Sequence, residues 1–546
     1  MIRAQRIPDV TAPPIRHDPE VVEAYLEDAS GLPPGRAAGL VRIADEREAA
    51  AIVRAARTHG WTLLPQAARS SVTGGATPAG EVIVSVERMT ECGPVQEGAT
   101  GAVCRLQPGV RLCDLQARLA EEGFYFPPVP TYQQAMIGGA VSTNAGGAAS
   151  FKYGVTRRWV RGLRVVLFNG DLLVLERGQA VARRGESFRI VLDDGQEIRV
   201  DAPDYVLPEL EKLSAGYWSA DELDLVDLFV GSEGTLGLIT GITLDLVPLP
   251  PSVVTGLLLL DDEAASVRLA GDLRSAAARA RETADARGPD VRSIEWMDRH
   301  CLELLRVHGD AKRLRIDLPE TARAAVLFEL ELPETTSDDQ AQDLLGLFLE
   351  GSPQIPDVPL VRLFRILEEH QALDRLELGF PGDLRRRRAL GDLRESVPLR
   401  VNEILSRRRQ IDPAVAKVGG DLIVPFERLD EMLGVYRAGF ERRGLEYAIW
   451  GHLSDGNLHP NALVHSAAEL KSAHQALLEF ADQAVLRGGS PLSEHGVGRS
   501  PLKQEMLRRF LGTAATDQMR QIKRALDPEG RFAPGVLFPL ESRRAG

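Results

Sequence analysis

Near its C-terminus the chain reads Gly451-His452-Leu453-Ser454-Asp455-Gly456-Asn457-Leu458-His459, and about thirty-five residues later Ser493-Glu494-His495-Gly496-Val497-Gly498. Three of the ten histidines and a carboxylate thus fall in two short, polar, glycine-rich segments. Imidazole nitrogen and carboxylate oxygen together suit Zn²⁺, Mn²⁺ or Fe²⁺, and open coordination positions would take a substrate's hydroxyl and carboxylate oxygens. His452, His459 and Glu494 are the candidate ligands, and His495 is the candidate base. By themselves these residues fit a hydrolase's metal-activated water equally well. Helix caps and satisfied surface histidines are the bland alternative.

Three upstream segments are rich in small residues. The first is Pro65-Gln66-Ala67-Ala68-Arg69-Ser70-Ser71-Val72-Thr73-Gly74-Gly75-Ala76. Small residues between strands let backbone N–H groups approach a phosphate, and Arg69, Ser70, Ser71 and Thr73 add donors, although a plain turn would read the same way. The second runs Pro127-Pro128-Val129-Pro130-Thr131, then Ile137-Gly138-Gly139-Ala140-Val141-Ser142-Thr143-Asn144-Ala145-Gly146-Gly147, then Lys152-Tyr153-Gly154. Two Gly-Gly pairs cost conformational entropy and are expected where backbone runs against a flat or bulky ligand. The pattern is not G-x-G-x-x-G after a strand, so a Rossmann nicotinamide site is not indicated. In the third, Leu228 to Thr240, Gly231, Gly234 and Gly237 interrupt a β-prone run, which fits either contact with a planar ring or ribose, or a strained loop.

These segments need elements to hold them. Ala44 to His59 has helical spacing and leads into the strand Trp61–Pro65, a helix-to-strand step of an α/β layer. Glu81–Val86 reads as a second strand and Val110–Gly123 as an amphipathic helix closed by glycine. Asn169-Gly170 and Asp194-Gly195 each sit between apolar runs and predict hairpins. Pro248-Leu249-Pro250-Pro251 is a plausible domain boundary. Beyond it, Val253–Leu260 and Ala324–Leu332 read as strands around the helix Ala264–Arg287, and the helix Leu429–Arg442 precedes the strand Glu446–Trp450 that delivers the histidines.

At 546 residues the chain calls for two or three domains. No apolar run reaches the ~20 residues that span a bilayer, and Met1 to His17 lacks the core of a secretory signal, so a cytoplasmic protein with a short N-terminal arm, at most peripheral to a membrane, is expected. A net charge of −13 argues against general nucleic-acid or lipid affinity. Arg385 to Arg388, flanked by Asp383, Asp392 and Glu395, reads as a solvated helix face. The four cysteines have no C-x-x-C spacing and read as reduced thiols.

In this order and spacing, the three small-residue segments resemble the flavin-binding domain of the vanillyl-alcohol-oxidase / D-2-hydroxy-acid dehydrogenase superfamily. The likeness extends over about residues 35 to 537. Glu295-Trp296-Met297-Asp298 looks like the start of the family's cap helix, Lys417 to Pro425 like a cap segment reaching the active site, and Leu526 to Gly535 like the C-terminal return to the flavin. The resemblance implies an α+β fold: a two-subdomain FAD-binding domain of vanillyl-alcohol-oxidase type plus an α+β cap domain with an antiparallel sheet. The expected division is an arm at 1–34, the FAD domain at 35–250, the cap at 251–510 and the return at 511–546. The implied FAD contacts are Pro65, Ala67, Arg69, Ser70, Ser71, Thr73 and Gly74; Pro130 and Thr131; Gly138, Gly139, Ser142, Thr143, Asn144, Gly146, Gly147 and Tyr153; Glu233, Gly234, Gly237 and Ile239; and Asn457, on flavin or substrate. Family members commonly carry P-R-G-G-G-T-S in the first loop, where this chain has Gln66 to Arg69, and asparagine where it has Ala533. No histidine lies between His59 and His300, so noncovalent FAD is expected.

The resemblance also assigns roles at the C-terminal motifs. His452, His459 and Glu494 match positions that bind a divalent metal, Zn or Mn here, and the metal would acidify a substrate 2-hydroxyl. His495 would take that proton while hydride passes from C2 to flavin N5. Arg394 matches the family's cap arginine for the substrate carboxylate, with Lys417 assisting, and Asp455 would orient a ligand histidine. The implied reaction is oxidation of a D-2-hydroxy acid such as D-lactate, glycolate or D-2-hydroxyglutarate to the 2-oxo acid. Two alternatives are a non-redox flavoenzyme like the alkyl-dihydroxyacetone-phosphate synthases and a flavin-fold subunit of a glycolate oxidase complex. Quinone, cytochrome, electron-transfer flavoprotein and oxygen stay open as acceptors, and a homodimer is compatible with the chain.

Overall fold

The computed structural model describes residues 1–98, 101–128, 130 and 132–539. The chain forms two compact units, the first from Met1–Gly147, Gly154–Pro248 and Ser490 onward, the second from Ala148–Tyr153 and Leu249–Gly489.

The first unit contains a three-stranded parallel sheet in which Val82–Ser85 lies between Gly39–Arg42 and Leu63–Gln66. The crossover between the outer strands is the helix Glu46–His59. Its start follows from Asp45, whose carboxylate accepts the N–H groups of Arg47 and Glu48, and its end from Gly60 at φ 75°. Its buried face is made of Ala49, Ala50, Ile52, Val53 and Ala56. The C-terminal return adds to the same sheet: Leu63 donates to Arg531 O at 2.8 Å and Ala533 donates to Leu63 O at 2.7 Å.

A second, antiparallel sheet of the unit is organised on Leu238–Pro248, which pairs with Val160–Val166 on one side and Gly101–Leu106 on the other. Both predicted hairpins form, with Val166 opposite Leu172 and Val191 opposite Glu197. The N-terminal arm is docked rather than loose, since Ile2–Arg3 pairs with Ile190–Val191 and Gln5–Arg6 with Asp171–Leu172.

The second unit is built on an eight-stranded sheet whose pairings are all antiparallel. Asp290–Met297 lies between Ala324–Leu332 and Tyr447–His452, and the last of these forms a hairpin with Asn457–Ala462. The segment expected to begin a helix at Glu295 instead ends a strand: Glu295 to Met297 stay in the sheet, and Asp298 caps the helix Arg299–Val307 by accepting the Cys301 N–H. The bulky Trp296, fully buried with its indole N–H on Ser266 Oγ at 2.8 Å, fits a pleated core face better than a first helical turn. Arg394 lies on the helix Leu384–Ile411, which also carries the basic run; there Arg386 pairs with Glu377, and Arg387 is half-buried. Among the described residues, no helix is long and apolar enough to cross a membrane.

Candidate active site

In the first unit the three small-residue loops meet one another and the Glu494 segment. A β-carbon at Gly75 would lie 3.4 Å from Ser71 Oγ, 3.5 Å from Glu233 Oε2 and 3.7 Å from Gly498 Cα. One at Gly139 would touch Ala67 at 3.5 Å, and one at Gly234 would touch Pro65 at 3.3 Å. The Gly231 and Glu233 N–H groups donate to Val141 O at 2.9 Å and Ser142 O at 2.8 Å. Small residues are required here because several backbones share one space. Arg69 has φ 57°, the left-handed conformation that a glycine-rich loop adopts freely, and its guanidinium stacks on the Tyr25 ring at 4.6 Å. Among the described residues, the backbone N–H groups of Arg69, Ser70 and Ser71 donate to no group of the chain.

Other residues expected at the cofactor have duties within the chain. Asn144, at φ 51°, donates to Leu213 O at 3.1 Å and accepts the Arg157 N–H at 2.9 Å. Gly138 packs on Pro108 and Gly237 on Val165, where a β-carbon would stand 2.5 Å and 2.7 Å from side-chain atoms. Thr143 Oγ1 donates to Gly139 O, Pro130 O accepts from Gln133, and Ile239 pairs with Val165 inside the sheet. Gly74 sits at φ 78°, Thr73 O accepts the N–H groups of Arg499 and Ser500, and Gly146 and Gly147 close the first chain segment of the unit. Thr131 lies outside the described residues. Tyr153 belongs to the second unit, where its hydroxyl donates to Glu331 at 2.8 Å.

The Glu494–His495 pair sits among these loops. Glu494 Oε2 accepts from Lys212 Nζ at 2.9 Å, and the Lys212 side chain is fully buried. Glu494 Oε1 is 3.6 Å from His495 Nε2, and the His495 side chain is 33% exposed. A β-carbon at Gly146 would approach Glu494 Oε2 at 3.1 Å and Lys212 Cδ at 3.2 Å, so the second loop lies against the pair. The turn after it is fixed by Glu233, whose carboxylate accepts the N–H groups of Val497 and Gly498, each at 2.8 Å. Burial pushes the Glu233 carboxyl up to about 7, against the downward pull of those two donors.

In the second unit the two histidines come from the hairpin. His452 lies opposite Asn457 and Trp450 opposite His459, so strand alternation puts Trp450, His452, Asn457, His459 and Asn461 on one face. The connecting turn needs Gly456, at φ 77°, because a β-carbon there would stand 2.0 Å from Val424 O. The His452 and His459 rings are 5.5 Å apart, edge to face. His459 Nδ1 is 3.8 Å from Asp421 Oδ1, and Asn457 donates to that same oxygen at 3.2 Å and to Leu422 O at 3.1 Å. Asp455 Oδ1 accepts the Asn457 N–H at 3.3 Å, a role in the turn. Arg394 is buried and already holds two carboxylates, Glu295 at 2.6 Å and Glu395 at 3.1 Å. Lys417 precedes the short strand Val418–Gly419 that pairs with Asn461 and Ala462, and burial lowers its ammonium pKa.

Sequence reasoning did not single out Lys212, Glu295, Asp421 or Asn461. Glu295 and Asn461 were accessible through period-two alternation along the strands, whereas Lys212 sits in an irregular segment with no motif.

Residues 37–176 match a family profile described as FAD binding domain, and residues 263–537 match one described as FAD linked oxidases, C-terminal domain. The chain is 31% identical to a mitochondrial D-2-hydroxyglutarate dehydrogenase of Bos taurus, over 96% of this chain and 81% of that protein. It is 27% identical to a glycolate oxidase subunit of Bacillus subtilis (89% and 86% covered) and 26% identical to a D-lactate dehydrogenase of Anaerostipes hadrus (91% and 89%). The fold resembles that of an alkyldihydroxyacetonephosphate synthase at a TM-score of 0.58 and 14% identity, covering 97% of this chain and 88% of that one; the likeness is one of fold alone.

Proposed function

The chain belongs to the FAD-linked oxidase family, and on that premise we propose that this oxidoreductase converts a small D-2-hydroxy acid to its 2-oxo acid. The observation that carries the reading is the seat of the Glu494–His495 pair among the three small-residue loops of one unit. The relatives named for D-2-hydroxyglutarate, glycolate and D-lactate act on acids that share one functional group, a hydroxyl next to a carboxylate. The Arg69 to Ser71 N–H groups that donate to no group of the chain, which suit a phosphate, and the close-packed glycines fit FAD, which when bound supplies the acceptor for the two electrons of the C2–H bond.

His495 has the exposure a general base needs, and it takes the hydroxyl proton on its imidazole. For a divalent metal the proposed ligands remain those read from the sequence, His452, His459 and Glu494. Within their own units His452 and His459 face the carboxylates of Glu295 and Asp421, an arrangement common behind ligating imidazoles, and Glu494 is hydrogen-bonded to Lys212. A dication there supplies polarisation of the substrate hydroxyl. Arg394 and Lys417 provide the positive charge for the substrate carboxylate.

Anaerobic mixing of the FAD-loaded protein with a panel of D- and L-2-hydroxy acids, read as flavin bleaching, tests the reading. Bleaching by at least one D-acid, lost on chelation while FAD stays bound, is expected. A flavin that no 2-hydroxy acid bleaches overturns the substrate class, and full activity after chelation overturns the metal.

A further inference from the structure

Glu295 lies directly opposite His452 across the pair Asp290–Met297 and Tyr447–His452. Directly opposed side chains share a face and stand within about 5.5 Å of each other at Cβ. Glu295 Oε1 is hydrogen-bonded to His452 Nδ1, and Oε2 accepts from Arg394 Nε at 2.6 Å. Glu295, Arg394 and His452 are all at least nine-tenths buried. An ionised carboxylate can only accept, so the His452 Nδ1 that meets it carries hydrogen, and in the neutral ring Nε2 is then the unprotonated nitrogen.

We propose that Glu295 is the positioning residue of His452: it fixes the Nδ1–H tautomer and the ring orientation, and Arg394 holds Glu295 in place. The proposal rests on the reading that His452 ligates a metal through Nε2. A carboxylate behind a ligating imidazole sets its tautomer and raises its basicity, and removing such a partner typically costs about 10–100-fold in metal affinity. Arg394 thereby acquires a task besides substrate, since a cation 2.6 Å from Glu295 keeps that side chain an acceptor.

Glu295→Gln is the informative substitution. The carboxamide oxygen goes to Arg394, which can only donate, and its NH₂ then faces His452 Nδ1, which must accept. The proton is thereby driven to Nε2. FAD-loaded, metal-stripped protein labelled with ¹⁵N-histidine reports the tautomer by long-range proton–nitrogen correlation, with His452 assigned by its loss in His452→Gln. Wild type is expected to show Nδ1–H, and Glu295→Gln to show Nε2–H. Zn²⁺ affinity, read by competition with a chromophoric chelator, is expected to fall about 10–100-fold with FAD content unchanged. Glu295→Asp keeps the charge and is expected to retain Nδ1–H, which also covers the case in which Glu295→Gln fails to fold. An Nε2–H tautomer in the wild type or in Glu295→Asp, or an unshifted tautomer in Glu295→Gln, overturns the proposal, as does Zn²⁺ affinity within twofold of wild type. A wild type that shows Nδ1–H but binds no Zn²⁺ instead overturns the metal reading.

Discussion

His495 and Lys212 flank Glu494 in different senses, one chemical and one electrostatic. His495→Ala removes the proposed base and is expected to slow substrate-driven flavin reduction by about 10²–10⁴-fold without changing FAD content, as stopped-flow absorbance would show. Lys212 is fully buried on Glu494, and Lys212→Met would leave a carboxylate in the interior without its cation. Removing one partner of a buried pair costs about 3–5 kcal/mol, so a clear drop in urea midpoint is expected, and adding Glu494→Gln should restore most of it. Glu233 behaves differently because its folded pKa, about 7, lies above the ordinary carboxyl value. The folded state then holds a proton that the unfolded chain releases. The resulting stability is present below the unfolded pKa and is lost as pH rises through about 7. Urea midpoints taken from pH 5 to pH 8 should fall with pH in the wild type and fall less in Glu233→Gln.

The hairpin carrying the histidines depends on its turn more than on its strands. Gly456→Ala must adopt a left-handed φ, at a cost of about 1–2 kcal/mol, and also displace the Val424 carbonyl. A lowered melting temperature together with weaker metal retention is expected, whereas Gly444→Ala, at φ 62° in open space, should lower stability without affecting the metal. The elements most legible in the sequence were those with local signals, such as Asn169-Gly170 between apolar runs, the helical spacing of Ala44 to His59, and the Val253–Leu260 strand. At Glu295 to Asp298 the resemblance points to a helix start, but the helix begins only after the cap Asp298, and nothing local says that the three preceding residues stay in the sheet. At the site, the motif residues were legible and their partners were not. The partner of Glu494 is 282 residues away, and that of His452 is 157 residues away on a neighbouring strand, so each emerges only when the sheets and loops are assembled.

On the scale of the molecule, FAD is a stability term for the first unit because the loops proposed to hold it are formed only in the folded state. At a free concentration one hundred times its Kd, a ligand of the native state adds about 2.7 kcal/mol. The melting transition of the first unit should therefore climb with added FAD, and a transition indifferent to FAD would contradict the loop assignment. The same unit is discontinuous in sequence, its last segment beginning at Ser490. A ribosome adding roughly 5–20 residues per second needs on the order of ten seconds or more to cross the intervening 249–489 stretch. During that interval the loops and Lys212 have emerged, but Glu494 and His495 have not yet been made. A nascent or prematurely terminated chain thus lacks both the counter-charge of its buried lysine and the proposed base, so unfinished copies of this oxidoreductase are expected to be catalytically silent.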